Sequence, residues 1–394
     1  MTKPSSAEAA PQWRRVAGLT FLLALPSIYL FEKYAGHLSV PIYLFVVAAA
    51  AWGWESAPGR ALVERVGERR ARAGAVVTFL LLVVVFAVVY PLANSGRFGP
   101  GSDGDEALNL ATRALLKGQF PYYEKTYLDN WITPMPGELV LAAPFVLLGD
   151  GVYQWFFWMA AGALALWIAW RRRSARTWLF TALVLIACPA VVHQLVIGSD
   201  YMANALMVLL PAIGLVTGAA RGAGPAEMGA LALVLGLGLS SRGNYAFVAP
   251  LVFSRLWQTL RPRAAAIVSC GIAATAAAVT LPFYLHDPAA FSPLHTRRKL
   301  AELNAVLPHT DLILPAGALV LSLGLASRRW NGDTAAFLRN AAIVEGFLIA
   351  VPALLYASTG TPAPAWYTIF GLLFLPFGLA VYAAATAPRS SATG

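Results

Sequence analysis

Charge is what this sequence has least of. Of 394 residues only 12% are Asp, Glu, Lys or Arg, while 58% are hydrophobic and the mean hydropathy is +0.64. Soluble domains carry about 25% charged residues. The shortage extends along most of the chain, which excludes an ordinary soluble domain and leaves an integral membrane protein with many spans. Cysteine is almost missing. Cys188 and Cys270 both fall inside apolar runs, which argues against a disulfide framework and leaves them as small packing residues. His193, His286, His295 and His309 lack the spacing of a zinc site. Alternation of apolar and polar residues, the mark of a transmembrane barrel, is absent as well. The first apolar stretch lacks a clear small-x-small cleavage site, so it reads as a retained helix.

What is present is a series of apolar runs near the length a bilayer requires, about 20 residues each. The runs fall at 16–32, 38–54, 74–93, 152–170, 177–197, 203–220, 228–240, 245–258, 264–285, 312–326, 340–357 and 366–387. The two short runs 228–240 and 245–258 are also compatible with a hairpin that does not fully cross. The expected fold class is therefore all-α, a polytopic transmembrane helical bundle of about 10–12 spans. A net charge of +10 would suit a nucleic-acid partner, but its placement argues otherwise. The short loops "ERVGERRARAG", "RRRSAR", "RPR" and "SRRW" all fall on one side of the alternation. That is the signature of cytoplasmic loops and places both termini in the cytoplasm. The stretch 137–149, "GELVLAAPFVLLG", is too short for a span and would invert this pattern. It reads as a helix at the outer interface.

Two outer loops remain, at about 94–151 and 286–311. The first opens with "GSDGDE", which sets Asp103, Asp105 and Glu106 side by side in a chain with only 19 acids. From Asp105 onward, Leu108, Ala111, Leu115 and Leu116 fall at helical spacing, with Asn109, Arg113 and Lys117 on the other face. This is an amphipathic helix of about three turns, expected to lie on the outer membrane surface. An Asp at a helix start caps free amides and suits the macrodipole. Capping needs one acid, however, and here there are three. The second outer loop holds Arg297, Arg298 and Lys299, on the side where basic residues are scarce.

The order of these features is similar to the first outer loop of the GT-C glycosyltransferases. The "DE" pair, the amphipathic helix ending "LLKGQFPYYEK", the aromatic stretch and "TPMPGELVLAAPFVLLG" carry the resemblance. It covers roughly residues 74–260 and points to lipid A aminoarabinose transferases and protein O-mannosyltransferases. It implies a GT-C bundle with juxtamembrane helices in its large first outer loop. On this reading 1–73 is a cytoplasmic lead and two-helix hairpin, 74–260 the catalytic module, and 261–394 a set of C-terminal transmembrane helices. Two spans before the family's first helix, and no large soluble domain after the last, depart from the pattern. The compact chain suits a small lipid or glycan acceptor better than a folded protein.

The resemblance implies sugar transfer from a polyprenyl-phosphate donor on the extracytoplasmic face of a bacterial cytoplasmic membrane, with inversion at the anomeric carbon. It carries the base role onto Asp105, with Asp103 as the competing candidate and Glu106 as an orienting neighbour. Transfer also requires cations for the leaving phosphate. Candidates on the outer side are Arg242 in "LSSRGNY", Arg297, Arg298, Lys299, Lys125 and Arg113. Headgroup contact is the competing role for Arg297 to Lys299. Asp200, in the next outer loop, is expected near the substrate or as a helix N-cap. Tyr122, Tyr123, Tyr127 and Trp131 either stack on sugar faces or anchor the loop at the interface. Glu345, inside a span, is either functional or a buried hydrogen-bonding group. No metal is obligatory on this reading, although the acids are hard oxygen ligands that would suit a divalent ion. Expected partners are the sugar donor, the acceptor and membrane lipids. The competing function is a multi-span secondary transporter or lipid flippase.

Overall fold

The computed structural model describes residues 11–97, 101–169, 175–295, 300–329 and 333–386. In chain order the first helices are α1 (Gln12–Ala35), α2 (Ser39–Glu55), α3 (Ala57–Val66), α4 (Glu68–Ala93), α5 (Gly104–Leu116), α6 (Pro136–Leu147), α7 (Gly151–Ile168) and α8 (Ala175–Ala187). There follow α9 (Pro189–Val196), α10 (Tyr201–Arg221), α11 (Pro225–Leu239), α12 (Ala249–Thr259), α13 (Pro262–His286), α14 (Thr310–Ala326), α15 (Thr334–Thr359) and α16 (Pro364–Ala385). No strand occurs among the described residues, only one isolated bridge between Lys125 and Trp131.

Seven helices, α1, α4, α7, α10, α13, α15 and α16, are long and apolar enough to cross a bilayer. Two bent pairs, α2 with α3 and α8 with α9, raise the count to nine. The protein is thus an all-helical, multi-pass membrane protein with fewer full spans than the 10–12 expected. Helix length accounts for the difference. The runs 228–240 and 312–326 became α11 and α14, of 15 and 17 residues, short of a full crossing. The run 245–258 opens as a 3₁₀ stretch, Gly243–Val248, and leaves only 11 α-helical residues in α12. As expected, α6 is a helix too short to span.

The bends have local causes. Pro189 holds Cys188 in an extended conformation and has no N–H to give. The chain turns by 61° there. Ser27 Oγ, from α1, accepts the freed Ala190 N–H at 3.1 Å. Between α2 and α3 the turn is 69°. Ser56 is extended and caps the next helix by accepting the Gly59 N–H at 3.2 Å. Lipid cannot satisfy exposed backbone groups, so such internal partners are what permit a break.

Packing runs across the sequence division drawn above. Leu19 and Leu22 of α1 share one buried cluster with Leu185, Leu195, Leu372 and Leu375. A second cluster joins α10, α11, α12, α15 and α16 through residues such as Leu215, Leu235, Val252, Phe337 and Phe377. The stretch between α4 and α7 forms a small core in which Leu108, Ala111, Tyr122, Ile132 and Leu139 pack with Phe291. Helix α5 therefore turns its apolar face onto α6 and these side chains.

Helix α6 positions the whole loop. Its start is pinned to the end of α11, with Gly137 N donating to Ser240 O at 3.0 Å and to Ser240 Oγ at 3.1 Å. A Cβ on Gly137 would stand 2.1 Å from the Leu237 carbonyl oxygen. Gly137→Ala is therefore expected to lower stability by about 1–3 kcal/mol, through overpacking against backbone. A thermal melt of the detergent-purified protein checks this. An unchanged melting temperature would mean that this seam does not hold the loop.

Candidate functional site

The end of α4 supplies the first half of the site. Tyr90 and Asn94 lie four residues apart and share one face. Asn94 Nδ2 donates to Asp105 Oδ2 at 3.1 Å. The Tyr90 hydroxyl lies 2.5 Å from the same oxygen and 2.7 Å from Asp150 Oδ2. Asp150 Oδ1 accepts from Asn109 Nδ2 at 2.9 Å and from Val152 N at 3.1 Å. Asn109 Oδ1 in turn accepts the Gly151 N–H at 2.8 Å.

A phenol has one proton, so Tyr90 can donate to only one of the two carboxylates at a time. Both short contacts are hydrogen bonds only when one carboxyl is itself protonated. Asp105 is buried, and burial pushes its carboxyl above the ordinary range; the bond from Tyr90 opposes this and the Asp150 charge adds to it. Asp105, Tyr90 and Asp150 thus form a hydrogen-bonded chain that can pass one added proton. Asp105 can take a proton, give it to the Tyr90 oxygen, and have Tyr90 donate to Asp150.

Asp103 and Glu106 do something different. Asp103 Oδ2 accepts from the Thr126 hydroxyl at 2.5 Å and from Asn130 Nδ2 at 2.8 Å. Glu106 Oε2 accepts the Tyr127 N–H at 2.9 Å. Between these anchors the chain makes a tight turn, with Asp129 at φ 59° and Thr126 N donating to Asn130 O at 3.0 Å. The two acids hold a hairpin over the start of α5. Asp103 occupies the N-cap position without a side-chain capping bond.

The second half of the site comes from the turn between α9 and α10. Gly198 is left-handed, φ +74°. A Cβ there would be 2.8 Å from both Asp105 Cβ and Tyr90 Cε2, so this turn approaches Asp105 as closely as backbone allows. Two residues on, Asp200 is buried and forms an ion pair with Arg242. It too stands at an N-cap position without capping through its side chain. Glu138, wholly buried at the start of α6, places Oε2 3.6 Å from Arg242 and accepts from Asn204 Nδ2 at 2.8 Å. Burial first, and the Asp200 charge second, hold Glu138 well above the usual carboxyl range. For Asp200, burial pushes upward but the Arg242 guanidinium outweighs it, so its carboxyl titrates low. The Arg242 guanidinium also lies 5.2 Å from the Tyr201 ring centroid.

Other expected site residues divide. Lys125 pairs with exposed Asp129 at 2.7 Å and covers the Trp131 ring at 4.7 Å, next to the hairpin that Asp103 holds. Arg113 donates to Gly149 O at 3.5 Å from an exposed position. Tyr122 is wholly buried, bonds to Pro134 O at 3.1 Å and packs on Phe291; in this conformation it presents no face to a ligand. Tyr123 and Tyr127 are exposed. Tyr123 stands near His286 and Phe120. Arg297, Arg298 and Lys299 lie outside the described residues. Glu345 is buried in α15 and accepts from Asn244 Nδ2 at 2.8 Å. Among the described residues no three His, Cys, Asp or Glu side chains gather at metal-binding distance.

Glu138, Asp150, Asn109 and Tyr90 escaped sequence reasoning. A signal existed for two of them. Glu138 is the one acid in an apolar helix, and Asp150 sits between Gly149 and Gly151. Comparison with family models, with curated proteins and with solved structures finds no match for this chain.

Two outcomes are expected from this geometry. Arg242→Leu leaves Asp200 buried without its counter-ion and should cost about 3–5 kcal/mol; a melt equal to wild type would mean that water reaches the pair. Asp105 titrates high in the fold, so its stabilising contribution is complete below the ordinary carboxyl range and is lost as pH rises through the raised pKa. Asp105→Asn mimics the protonated acid. It should melt higher than wild type at pH 8, by on the order of 1 kcal/mol, and equal to it near pH 4. Parallel pH–melting curves for the two proteins would contradict the shift.

Proposed function

We propose that this protein is a GT-C-type membrane glycosyltransferase. It transfers a sugar from polyprenyl phosphate to a lipid-linked or glycan acceptor on the extracytoplasmic face, with both termini in the cytoplasm of a bacterial cell. The observation that carries the proposal is the Asp105–Tyr90–Asp150 chain, seated in the outer loop that resembles that superfamily. A base for this reaction must take a proton from an acceptor hydroxyl while the sugar–phosphate bond breaks. Asp105 is suited to it: its carboxyl titrates nearer to neutrality than an ordinary Asp, and Tyr90 and Asp150 spread the proton it receives.

In the proposed step the acceptor oxygen attacks the anomeric carbon. Its proton passes to Asp105, and the electron pair of the broken bond leaves with the polyprenyl phosphate. Attack opposite the leaving group inverts the anomeric centre. The phosphate gains negative charge and needs donors. Lys125 is one, because its pair with exposed Asp129 is weak and exchangeable. Arg242 is another, because its Nε–H is buried and has no hydrogen-bond partner. Arg297, Arg298 and Lys299 complete the proposed set. Asp200 and Glu138 position Arg242, and Tyr123 and Tyr127 are the exposed rings proposed to meet a sugar.

A transport reading has one observation in its favour. Glu345 is an acid buried within a span, and its Oε1 has no hydrogen-bond partner. Counterflow of a labelled substrate in proteoliposomes would support that reading over the first.

The test is transfer from a panel of labelled polyprenyl-phosphate sugars to total lipid and cell-wall acceptors. Wild type is expected to make product, and Asp105→Asn to lose about 10²–10⁴-fold in rate while remaining folded. Asp150→Asn should retain measurable transfer with an altered pH–rate profile. Full activity of Asp105→Asn would remove it from the base role. Absence of product with every donor, from folded wild type, would count against the enzyme.

A further inference from the structure

A cavity of about 860 Å³ opens at the end of the bundle opposite Asp105. Arg176 at the start of α8 lines it, whereas the far end of α8 and α9 leads to Gly198 beside Asp105. Its inner wall is apolar, with Phe21 and Leu22 of α1, Phe347 of α15 and Phe374 of α16. Its remaining lining is basic. Arg14, Arg15, Arg60, Arg176 and Arg339 line it against only Glu55 and Glu64. Glu55 is buried and already held by Arg15 at 2.9 Å and Arg176 at 2.5 Å. Arg14, Arg60 and Arg339 have no carboxylate within ion-pair distance among the described residues.

We propose that this cavity binds an anionic membrane phospholipid, with its phosphate among Arg14, Arg60 and Arg339 and an acyl chain between α1, α15 and α16. Three arguments converge. The lining carries a surplus of three positive charges, five arginines against two glutamates. Guanidinium forks suit phosphate oxygens, and basic pockets between spans are a recurrent way of holding anionic headgroups. The apolar wall extends inward from these cations, an arrangement that an amphiphile uses fully and a soluble anion does not. The volume is also that of a ligand site, roughly 300–1,000 Å³. None of this depends on the reaction proposed above.

Native mass spectrometry of the full chain, released from detergent with phosphatidylglycerol or phosphatidylcholine, tests the proposal. Wild type should retain phosphatidylglycerol at lower lipid concentration than phosphatidylcholine. Arg14→Ala combined with Arg339→Ala should weaken phosphatidylglycerol retention on the order of 30-fold. Arg263→Ala, a basic change at the start of α13 outside the cavity, should leave it unchanged. Ala350→Phe, which fills the apolar wall without altering charge, should weaken retention of the lipid in a protein that melts like wild type. Equal retention of the two lipids by wild type, or equal retention of phosphatidylglycerol by wild type and the double variant, would overturn the proposal. Displacement of the lipid by millimolar inorganic phosphate would overturn it in favour of a soluble anion.

Discussion

One hydroxyl proton organises the segment that joins α4 to α7. Tyr90 sits between two carboxylates, Asp105 and Asp150, and can satisfy only one of them by donation. The second contact requires a proton from the acids themselves. That shortage makes the cluster responsive to pH. It also ties three elements together: α4 through Tyr90, α5 through Asp105, and the entry to α7 through Asp150. Asn94, just past the end of α4, and Asn109 of α5 complete the arrangement by donating to Asp105 and Asp150.

The rest of the fold answers the same demand in a solvent that offers no hydrogen bonds. Lipid leaves every polar group to find its partner within the protein. Ser27 meets the amide freed by Pro189, and Ser56 meets that of Gly59. Arg242 reaches two acids from different helices, so the pairing that neutralises it also joins the start of α6 to the start of α10. Glu55 does likewise at the far end, where α1, α2 and α8 meet through Arg15 and Arg176. Charged residues are few here, and these buried ones join separate helices.

Much of this was legible in the sequence. Continuous apolar runs identified the long spans, and the helical spacing of Leu108, Ala111 and Leu115 gave α5 close to its true limits. The "GSDGDE" stretch stands out in the sequence as three acids within four residues of a chain that has few. What composition could not supply was the partner of each acid. Capping explained Asp103 and Asp200 equally well on paper, yet both turn away from their helix amides toward Thr126 and Arg242. Those partners lie far along the chain, and no local pattern encodes such a choice. Span counting failed for a related reason. Hydropathy registers how apolar a run is, but the stop at the end of α11, and the 3₁₀ start before α12, depend on how the chain packs there.

The hairpin at 126–130 is attached differently from everything around it. Side chains of Asp103 and Glu106 suspend it, while the small core beneath is completed by Tyr122 and Ile132 on either side. Its tip can therefore be rewritten, lengthened or exchanged without dismantling α5 or disturbing Asp105. A change confined to the tip then leaves the Asp105–Tyr90–Asp150 contacts below it in place.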